Sequence, residues 1–122
     1  INRFFSDVTS TTSSPLHHRN LFPILEYIDQ NLDKDLSLKS LQDRFFVSGS
    51  YLCQIFKQIT GSTLHEYIIY KRISRAKQYL INGESSYNAA IKSGFSDYSN
   101  FYRAFKKVTG YSPREYVKKI SG

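Results

Sequence analysis

The chain has 122 residues, of which 40% are hydrophobic and 16% aromatic, and its formal net charge is +7 at pH 7. This length and apolar content predict one compact domain, or two very small ones, and favour a globular chain over a disordered one. No apolar run approaches the ~20 residues of a membrane span, the first residues lack the apolar segment of a signal peptide, and the single cysteine excludes an internal disulfide and favours a reducing, cytoplasmic location.

Residues 1–19 include the polar stretch TSTTSSP, which lacks hydrophobic periodicity and predicts a linker or tail. His17 and His18 are adjacent and cannot share one helix face, so we expect no metal site there. Because the sequence contains no methionine, we expect the chain to be a piece of a longer protein.

From residue 20 onward the apolar residues recur with a helical period, which predicts seven helices and no strand. The first helix has apolar residues at 21, 24, 25, 28 and 32, with Asn20 as its N-cap and Pro23 in its first turn. Its acidic residues, Glu26, Asp29 and Asp33, give this helix a negative surface, unlike the later part of the chain.

Most later helices begin at side chains that can cap free N–H groups, namely Ser37, Ser48, Thr63, Asp97 and Ser112. Glu66 and Glu115 each follow one of these caps by three residues and predict capping boxes, while Gly61 and Gly110 stop the preceding helices. The apolar residues predicted to face inward in the second, third and sixth helices are Leu38, Leu41, Phe45, Leu52, Ile55, Phe56, Ile59, Phe101, Ala104, Phe105 and Val108.

A twelve-residue segment occurs twice: FKQITGSTLHEY at 56–67 and FKKVTGYSPREY at 105–116 share six identical positions. Each copy ends an arrangement of short helix, turn and longer helix, at 37–60 and at 86–109, which is typical of a helix-turn-helix. We therefore predict an all-α, homeodomain-like fold in which two helix-turn-helix subdomains, at 20–62 and 83–122, are joined by a long linker helix at 63–82.

The positive charge is concentrated in one part of the chain, since residues 48–122 carry twelve bases and four acids, a net of +8. A basic surface favours nucleic acid or an anionic membrane, although an ordinary solvated surface has the same composition. In a helix-turn-helix the second helix enters the major groove, and its N-terminal outward residues meet base edges. The duplicated arrangement together with the charge therefore favours DNA binding.

The outward residues of helices 48–60 and 97–109 predict the DNA contacts. Gln and Asn can pair with adenine and Arg with guanine, so Gln54, Asn100 and Arg103 are the leading base readers. The full predicted base-contacting set is Ser50, Tyr51, Cys53, Gln54, Ser99, Asn100, Tyr102 and Arg103. The predicted backbone-contacting set is Lys57, Gln58, Arg72, Arg75, Tyr98, Lys106 and Lys107.

The length of the linker helix limits the distance between the two recognition helices. About 18 residues at 1.5 Å each span ~27 Å, which is shorter than the ~34 Å between major-groove segments one DNA turn apart. A stiff linker of this length predicts that the DNA bends when both helices engage it.

The segments AAIKSGFSDYSNFYRAFKKVTGYSPREY and KRISRAKQYL resemble the DNA-binding domain of the AraC/XylS family of bacterial transcription regulators. The resemblance implies sequence-specific binding of double-stranded promoter DNA, usually to activate transcription. RNA polymerase and an N-terminal effector or dimerisation domain outside this chain are the further partners it implies, and it implies no cofactor. Gln42 and Phe46 stand where the family has a small residue and a turn glycine, so we expect looser packing in the first subdomain.

Two other classes of function compete with DNA binding. An enzyme is not predicted, because the sequence has no phosphate-binding glycine loop and no zinc spacing, and helical spacing places no histidine beside Cys53. A helical protein-interaction module is the alternative, and its binding would respond little to salt, whereas DNA binding weakens steeply as salt is added.

Overall fold

The computed structural model describes residues 15–121, with side chains from residue 21 onward, and over that range it contains helices and no strand. The helices are α1 (Pro15–Gln30), α2 (Leu38–Phe45), α3 (Gly49–Thr60), α4 (Leu64–Ile81), α5 (Ser86–Lys92), α6 (Tyr98–Thr109) and α7 (Pro113–Ser121). The prediction of an all-α fold with seven helices is therefore confirmed for the described residues.

Side-chain caps fix the helix starts at the positions that the sequence predicts. Ser37 is the N-cap of α2. The hydroxyl of Ser48 accepts a hydrogen bond from the N–H of Tyr51 at 3.1 Å, and the carboxylate of Asp97 accepts one from the N–H of Ser99 at 2.7 Å. These contacts satisfy N–H groups that have no partner inside the helix, so both longer helices begin at defined residues.

Both predicted capping boxes are present. The Thr63 N–H donates to Glu66 Oε1 at 3.0 Å, and the Glu66 N–H donates back to Thr63 Oγ1 at 3.0 Å. The second box repeats this exchange between Ser112 and Glu115, at 2.8 and 3.1 Å. Each box starts a helix directly after a glycine stop, so the duplicated segment encodes the same junction twice.

The first helix begins earlier than the sequence predicts. Because α1 starts at Pro15, Asn20 lies inside the helix and is not its N-cap, and Pro23 lies inside the helix and not in its first turn. Proline suits a first helical position, where its missing N–H has no helical partner, and Pro15 takes that position. Of the predicted tail at 1–19, residues 1–14 lie outside the described residues and 15–19 are helical.

The chain divides into two compact units, and each is described by itself. Unit 1 comprises the described residues up to Asn31 together with Asp35–Ile68, and unit 2 comprises Leu32–Lys34 and residues 69–121. Helices α2 and α3 form the helix-turn-helix of unit 1, and α5 and α6 form that of unit 2. The division lies inside α4, and the predicted subdomain limits at 62 and 83 stay a prediction.

In unit 1, α1 and α2 both pack against α3. The core includes Ile28, Leu41 and Phe56, all fully buried, and the ring of Phe56 meets that of Tyr67 edge-to-face with centroids 5.2 Å apart. Burial raises the pKa of Tyr67 far above its ordinary value, and the negative charge of Asp29 raises it further. The phenol therefore stays protonated within this core.

The core of unit 2 joins α4, α5, α6 and α7. Phe101 and Phe105 of α6 are fully buried, with ring centroids 5.5 Å apart, and Phe105 meets Tyr116 of α7 edge-to-face at 5.4 Å. The other buried members of this cluster are Ile73, Ala76, Leu80, Ala89, Ala90 and Phe95. Packing of these aromatic rings anchors one side of α6 and leaves its opposite side to solvent.

Two residues predicted to face inward are exposed. Leu38 is 37% exposed and Val108 is 38% exposed. Leu38 is the first residue of α2, and Val108 lies in the last turn of α6. The helical period gives the side on which a residue lies, but it does not tell whether a neighbouring helix extends far enough to cover a terminal turn.

The turns of the two helix-turn-helix arrangements differ. Phe46 has φ +55° and is 92% exposed, although this left-handed conformation costs a residue with a Cβ ~1–2 kcal/mol. Gly94 has φ +112° at the second turn, where glycine adopts such a conformation freely. In the first copy Gly49 leaves room for the large Gln42, since a Cβ atom at Gly49 would lie 3.0 Å from Gln42 Oε1.

Arg72 of α4 fastens the segment Leu32–Lys34 within unit 2. Its Nε donates to the carbonyl oxygen of Leu32 at 2.9 Å, and its Nη2 donates to the carbonyl oxygen of Lys34 at 3.0 Å. Gly94 lies against the same segment, because a Cβ atom there would be 2.0 Å from the Leu32 oxygen and 2.6 Å from Arg72 Nε. The turn of the second helix-turn-helix is thus built around a glycine, a carbonyl and a guanidinium.

Candidate nucleic-acid interface

The outward side of α6 exposes the residues that the sequence selects as DNA contacts. Phe101 and Phe105 turn the opposite side of the helix into the core. The exposed residues are Ser99, Asn100, Tyr102, Arg103, Lys106 and Lys107, while Tyr98 at the start of the helix is half-buried. The structure brings these side chains together on one helix, and their contact with DNA stays a prediction.

Within this surface, Asn100 and Arg103 are joined by a hydrogen bond. The Arg103 guanidinium donates through Nη2 to the side-chain oxygen Oδ1 of Asn100. The two residues lie three positions apart in the first half of α6, a spacing that brings side chains together on a helix surface. The pair was not foreseen from the sequence, which treats each residue as a separate base reader.

The outward side of α3 exposes the corresponding residues of the first copy. Leu52 and Phe56 anchor this helix in the core of unit 1. Tyr51 is half-buried, and the exposed residues are Ser50, Cys53, Gln54, Lys57 and Gln58. This surface carries one cation, Lys57, whereas the outward side of α6 carries three, so α6 presents the more positive recognition surface.

The arginines of the linker helix lie in a different setting. Arg72 is half-buried, and two of its nitrogens bond the carbonyl oxygens of segment 32–34. We therefore expect a structural role for Arg72, and its predicted contact with the DNA backbone stays untested. Arg75 is also half-buried, and its predicted contact with the backbone likewise stays a prediction.

A groove of about 580 Å³ borders the start of α6 in unit 2. Tyr98 and Tyr102 line it from α6, and Arg114 and Lys118 line it from α7. Neither of these two cations is among the DNA contacts selected from the sequence. Their i,i+4 spacing on a predicted helix puts them on one face, which is the signal that could have identified them.

The acidic residue of this groove is itself paired. Glu84 forms an ion pair with Lys92, with 2.6 Å between Oε2 and Nζ. The hydrogen bond from Lys92 holds the pKa of Glu84 below its ordinary value, and the same bond raises the pKa of Lys92. With Glu84 neutralised by Lys92, Arg114 and Lys118 give the groove a positive balance suited to an anion.

The described part of the chain offers neither a metal cluster nor a membrane span. No group of three or more His, Cys, Asp or Glu side chains that could hold a metal ion occurs among the described residues. The prediction for His17 and His18 lies outside the described side chains. No helix of the described range is long and apolar enough to span a bilayer.

Similar sequences identify the family. A family profile described as a helix-turn-helix domain matches residues 41–119, from α2 into α7. The probable transcriptional regulator LumQ of Photobacterium leiognathi is 34% identical over 98 residues, which cover 80% of this chain and 40% of LumQ. The bifunctional transcriptional activator/DNA repair enzyme AdaA of Bacillus subtilis is 39% identical over 94 residues, which cover 76% of this chain and 44% of AdaA. The chain thus spans less than half the length of these two relatives.

Solved structures share the fold. The C-terminal domain of AraT, a response regulator from Geobacillus stearothermophilus, has a TM-score of 0.77 at 27% identity. The match covers 89% of this chain and 88% of the AraT chain. The DNA-binding domain of AdpA, solved in complex with a target DNA, has a TM-score of 0.76 at 22% identity, covering 82% and 91%, and shows the same fold. The chain therefore belongs to the AraC/XylS family of helix-turn-helix transcription regulators and contains their DNA-binding domain.

Proposed function

We propose that this domain binds double-stranded promoter DNA sequence-specifically by placing α3 and α6 in adjacent major-groove segments. The observation that carries the proposal is the repeated design of the two helices. Each begins at a side-chain cap, buries large apolar residues on one side and exposes polar and basic residues on the other. The N-terminal, outward part of such a helix is what reaches base edges in a helix-turn-helix.

We assign base reading to the residues in the first turns of α3 and α6. In α3 the residues concerned are Ser50, Tyr51, Cys53 and Gln54. In α6 they are Ser99, Asn100, Tyr102 and Arg103. Amide and guanidinium side chains can form two hydrogen bonds with one base, so Gln54, Asn100 and Arg103 contribute most to sequence preference.

We assign phosphate binding to basic and polar residues further along the two helices and to the groove beside α6. Lys57, Gln58, Lys106 and Lys107 occupy the later turns of α3 and α6 and would meet the DNA backbone. Tyr98 lines the groove together with Arg114 and Lys118, and we add these two cations to the proposed backbone contacts. A DNA phosphate bound beside Tyr98 would hold the start of α6 against the floor of the DNA major groove.

Regulation of transcription also requires parts of the protein other than this DNA-binding domain. We propose that an effector-binding or dimerisation domain lies elsewhere in the same protein, and that the regulator acts in the cytoplasm on RNA polymerase as an activator. The domain itself acts by binding and not by catalysis. AdaA illustrates that a relative can combine transcriptional activation with an enzyme activity, and any such activity here would lie outside the described helices.

The test is selection of binding sites from a random double-stranded DNA pool, followed by fluorescence titration of the selected duplex at two salt concentrations. We expect one DNA motif to be enriched. In the titration, the logarithm of the association constant should fall by ~0.9 for each neutralised phosphate when the logarithm of the salt concentration rises by one unit. Replacing Lys106 with Ala should flatten that slope, while Lys34→Ala, with the same charge change in the segment after α1, should leave it unaltered. A protein-interaction module would enrich no DNA motif.

A further inference from the structure

The two units that contain the recognition helices carry net charges of opposite sign. Over residues 21–31 and 35–68, unit 1 has three bases and five acids, a net of −2. Over residues 32–34 and 69–121, unit 2 has twelve bases and four acids, a net of +8. Attraction to phosphates supplies essentially all of the affinity of a protein for DNA of unmatched sequence. This part of the affinity is therefore concentrated in unit 2.

In unit 1, two of the three cations whose side chains the structure describes are engaged by neighbours in the same unit. Lys39 Nζ lies 3.2 Å from Asp43 Oδ2, and the Arg44 guanidinium lies over the Tyr27 ring, 4.3 Å from the ring centre. The third cation, Lys57, is exposed on the outward side of α3. The recognition helix of unit 1 thus offers the DNA backbone one charged contact.

Unit 2 offers the DNA backbone several charged contacts. Lys106 and Lys107 are exposed on α6, and Arg114 and Lys118 are exposed on α7, where they line the groove beside α6. If each of these four cations neutralises one phosphate, together they correspond to a salt slope of about 3.6, whereas Lys57 alone corresponds to about 0.9. The two recognition helices therefore differ most in binding that does not depend on sequence.

We propose that unit 2 alone holds the domain on DNA of unmatched sequence, and that α3 of unit 1 enters the major groove only where the bases match it. On unmatched DNA, α3 would gain about one phosphate contact while its exposed side chains lose rotamer freedom and its polar groups lose water. On matched DNA, hydrogen bonds from residues such as Gln54 to base edges offset these losses. The inference rests on the proposed function and specifies what each half-site contributes to it.

The two half-sites then have different roles in finding a target. Unit 2 keeps the domain on the DNA while it moves between sites, because its phosphate contacts are available at every sequence. The α3 half-site adds affinity only at the target, so it raises the ratio of specific to non-specific binding, on which the choice of a site among many competing ones depends. A duplex that lacks the α3 half-site should be bound with the salt slope of unit 2 alone.

The duplicated segment provides a matched pair of variants for the test. Lys57 and Lys106 occupy the same position of the two copies, 49 residues apart, and both are exposed. Each is replaced with Ala in the whole chain, and binding is titrated over a range of salt concentrations. One duplex carries the motif selected from a random pool, and the other has the same length and composition in scrambled order.

The expected salt slopes differ between the two variants. Lys106→Ala should flatten the slope by ~0.9 on both duplexes. Lys57→Ala should flatten it by ~0.9 on the selected duplex and leave it unaltered on the scrambled one. A Lys57→Ala slope that flattens equally on the scrambled duplex overturns the inference. A Lys57→Ala slope that is unaltered on the selected duplex also overturns it, because unit 1 would then add no phosphate contact at a matched sequence.

A second measurement follows the helices directly in the unaltered protein. The backbone N–H signals of α6 and α7 in ¹⁵N NMR should shift with either duplex, whereas those of α3 should shift only with the selected one. Failure of the random pool to yield any motif contradicts the proposed function. An enriched motif together with α3 signals that shift on the scrambled duplex contradicts this inference alone.

Discussion

Arg72 Nε donates a hydrogen bond to the carbonyl oxygen of Leu32, 2.9 Å away and 40 positions earlier in the chain. A second nitrogen of the same guanidinium reaches the carbonyl oxygen of Lys34 at 3.0 Å. Both carbonyls belong to a short segment between α1 and α2, so no helical N–H group is available to them. The planar fork of arginine can serve two such acceptors at once, which the single ammonium of lysine does less well.

Replacing Arg72 with Ala should lower the free energy of unfolding by ~1–2 kcal/mol, because two carbonyls lose a charged donor at a half-buried site. Arg72→Lys should recover less than half of the loss. Urea unfolding followed by circular dichroism measures both. The salt slope of DNA binding should stay that of the unaltered domain, and a slope flattened by ~0.9 would instead support the phosphate contact that the sequence predicts.

Gly94 should tolerate no side chain. A Cβ atom there would overlap the Leu32 oxygen at 2.0 Å, and φ of +112° is itself unfavourable for alanine. We expect Gly94→Ala to cost ~3 kcal/mol or more, or to prevent folding. Gly110→Ala is the matched control, since Gly110 has φ +85° but no neighbouring atom within 4 Å of where a Cβ atom would lie, and it should cost ~1 kcal/mol. Equal losses in urea unfolding would show that the close approach to Leu32 is unimportant.

The features that the sequence predicted correctly are short-range. The capping boxes of Thr63 with Glu66 and of Ser112 with Glu115 involve residues three apart, so residue type and spacing suffice. The role of Arg72 was missed because its partners lie 38 and 40 positions away, and no local pattern contains that information. The start of α1 was missed because a proline is compatible with more than one position near a helix start.

In the candidate interface, too, some features could be predicted from the sequence and others could not. Helical periodicity placed the exposed sides of α3 and α6 correctly, because burial of Leu52, Phe56, Phe101 and Phe105 fixes the rotation of each helix. Periodicity gave no information on which side chains on that exposed side bond to one another. The bond between Arg103 and Asn100 depends on rotamers, and the groove beside α6 depends on how α7 packs.

Phe46→Gly should stabilise unit 1. The left-handed conformation of Phe46 costs ~1–2 kcal/mol for a residue with a Cβ, and glycine removes that cost while losing ~0.4–1 kcal/mol through the greater entropy of the unfolded chain. A net gain of ~0.5–1 kcal/mol is expected in urea unfolding. Phe46→Ala keeps the Cβ and removes the ring, which is 92% exposed, so it should give little gain. An equal gain in both variants would trace the effect to the ring.

Glu115 should make stability depend on pH in the acidic range. Hydrogen bonds from the Ser112 main chain and side chain hold the pKa of Glu115 below its ordinary value of 4.5. Protonation is therefore harder in the folded protein, so the stabilisation is complete above pH 4.5 and is lost as the pH falls through the lower pKa of the folded state. Glu115→Gln should remove this part of the pH dependence in unfolding curves measured between neutral and acidic pH. A curve that keeps the full dependence would assign it to other carboxylates.

The groove beside α6 gives the last prediction. If Arg114 and Lys118 bind a DNA phosphate, replacing Lys118 with Ala should weaken binding of every duplex by a similar factor and flatten the salt slope by ~0.9. Arg114→Ala should do the same, and base preference should stay unaltered in both because a phosphate contact reads no sequence. Lys119→Ala is the control, since Lys119 is next in sequence on α7 but its ammonium lies over the Tyr111 ring, 5.3 Å from the ring centre. An equal change of slope in the Lys119 variant would show that only the net charge of the domain matters. An unaltered slope in the Lys118 variant would show that the groove does not contact DNA.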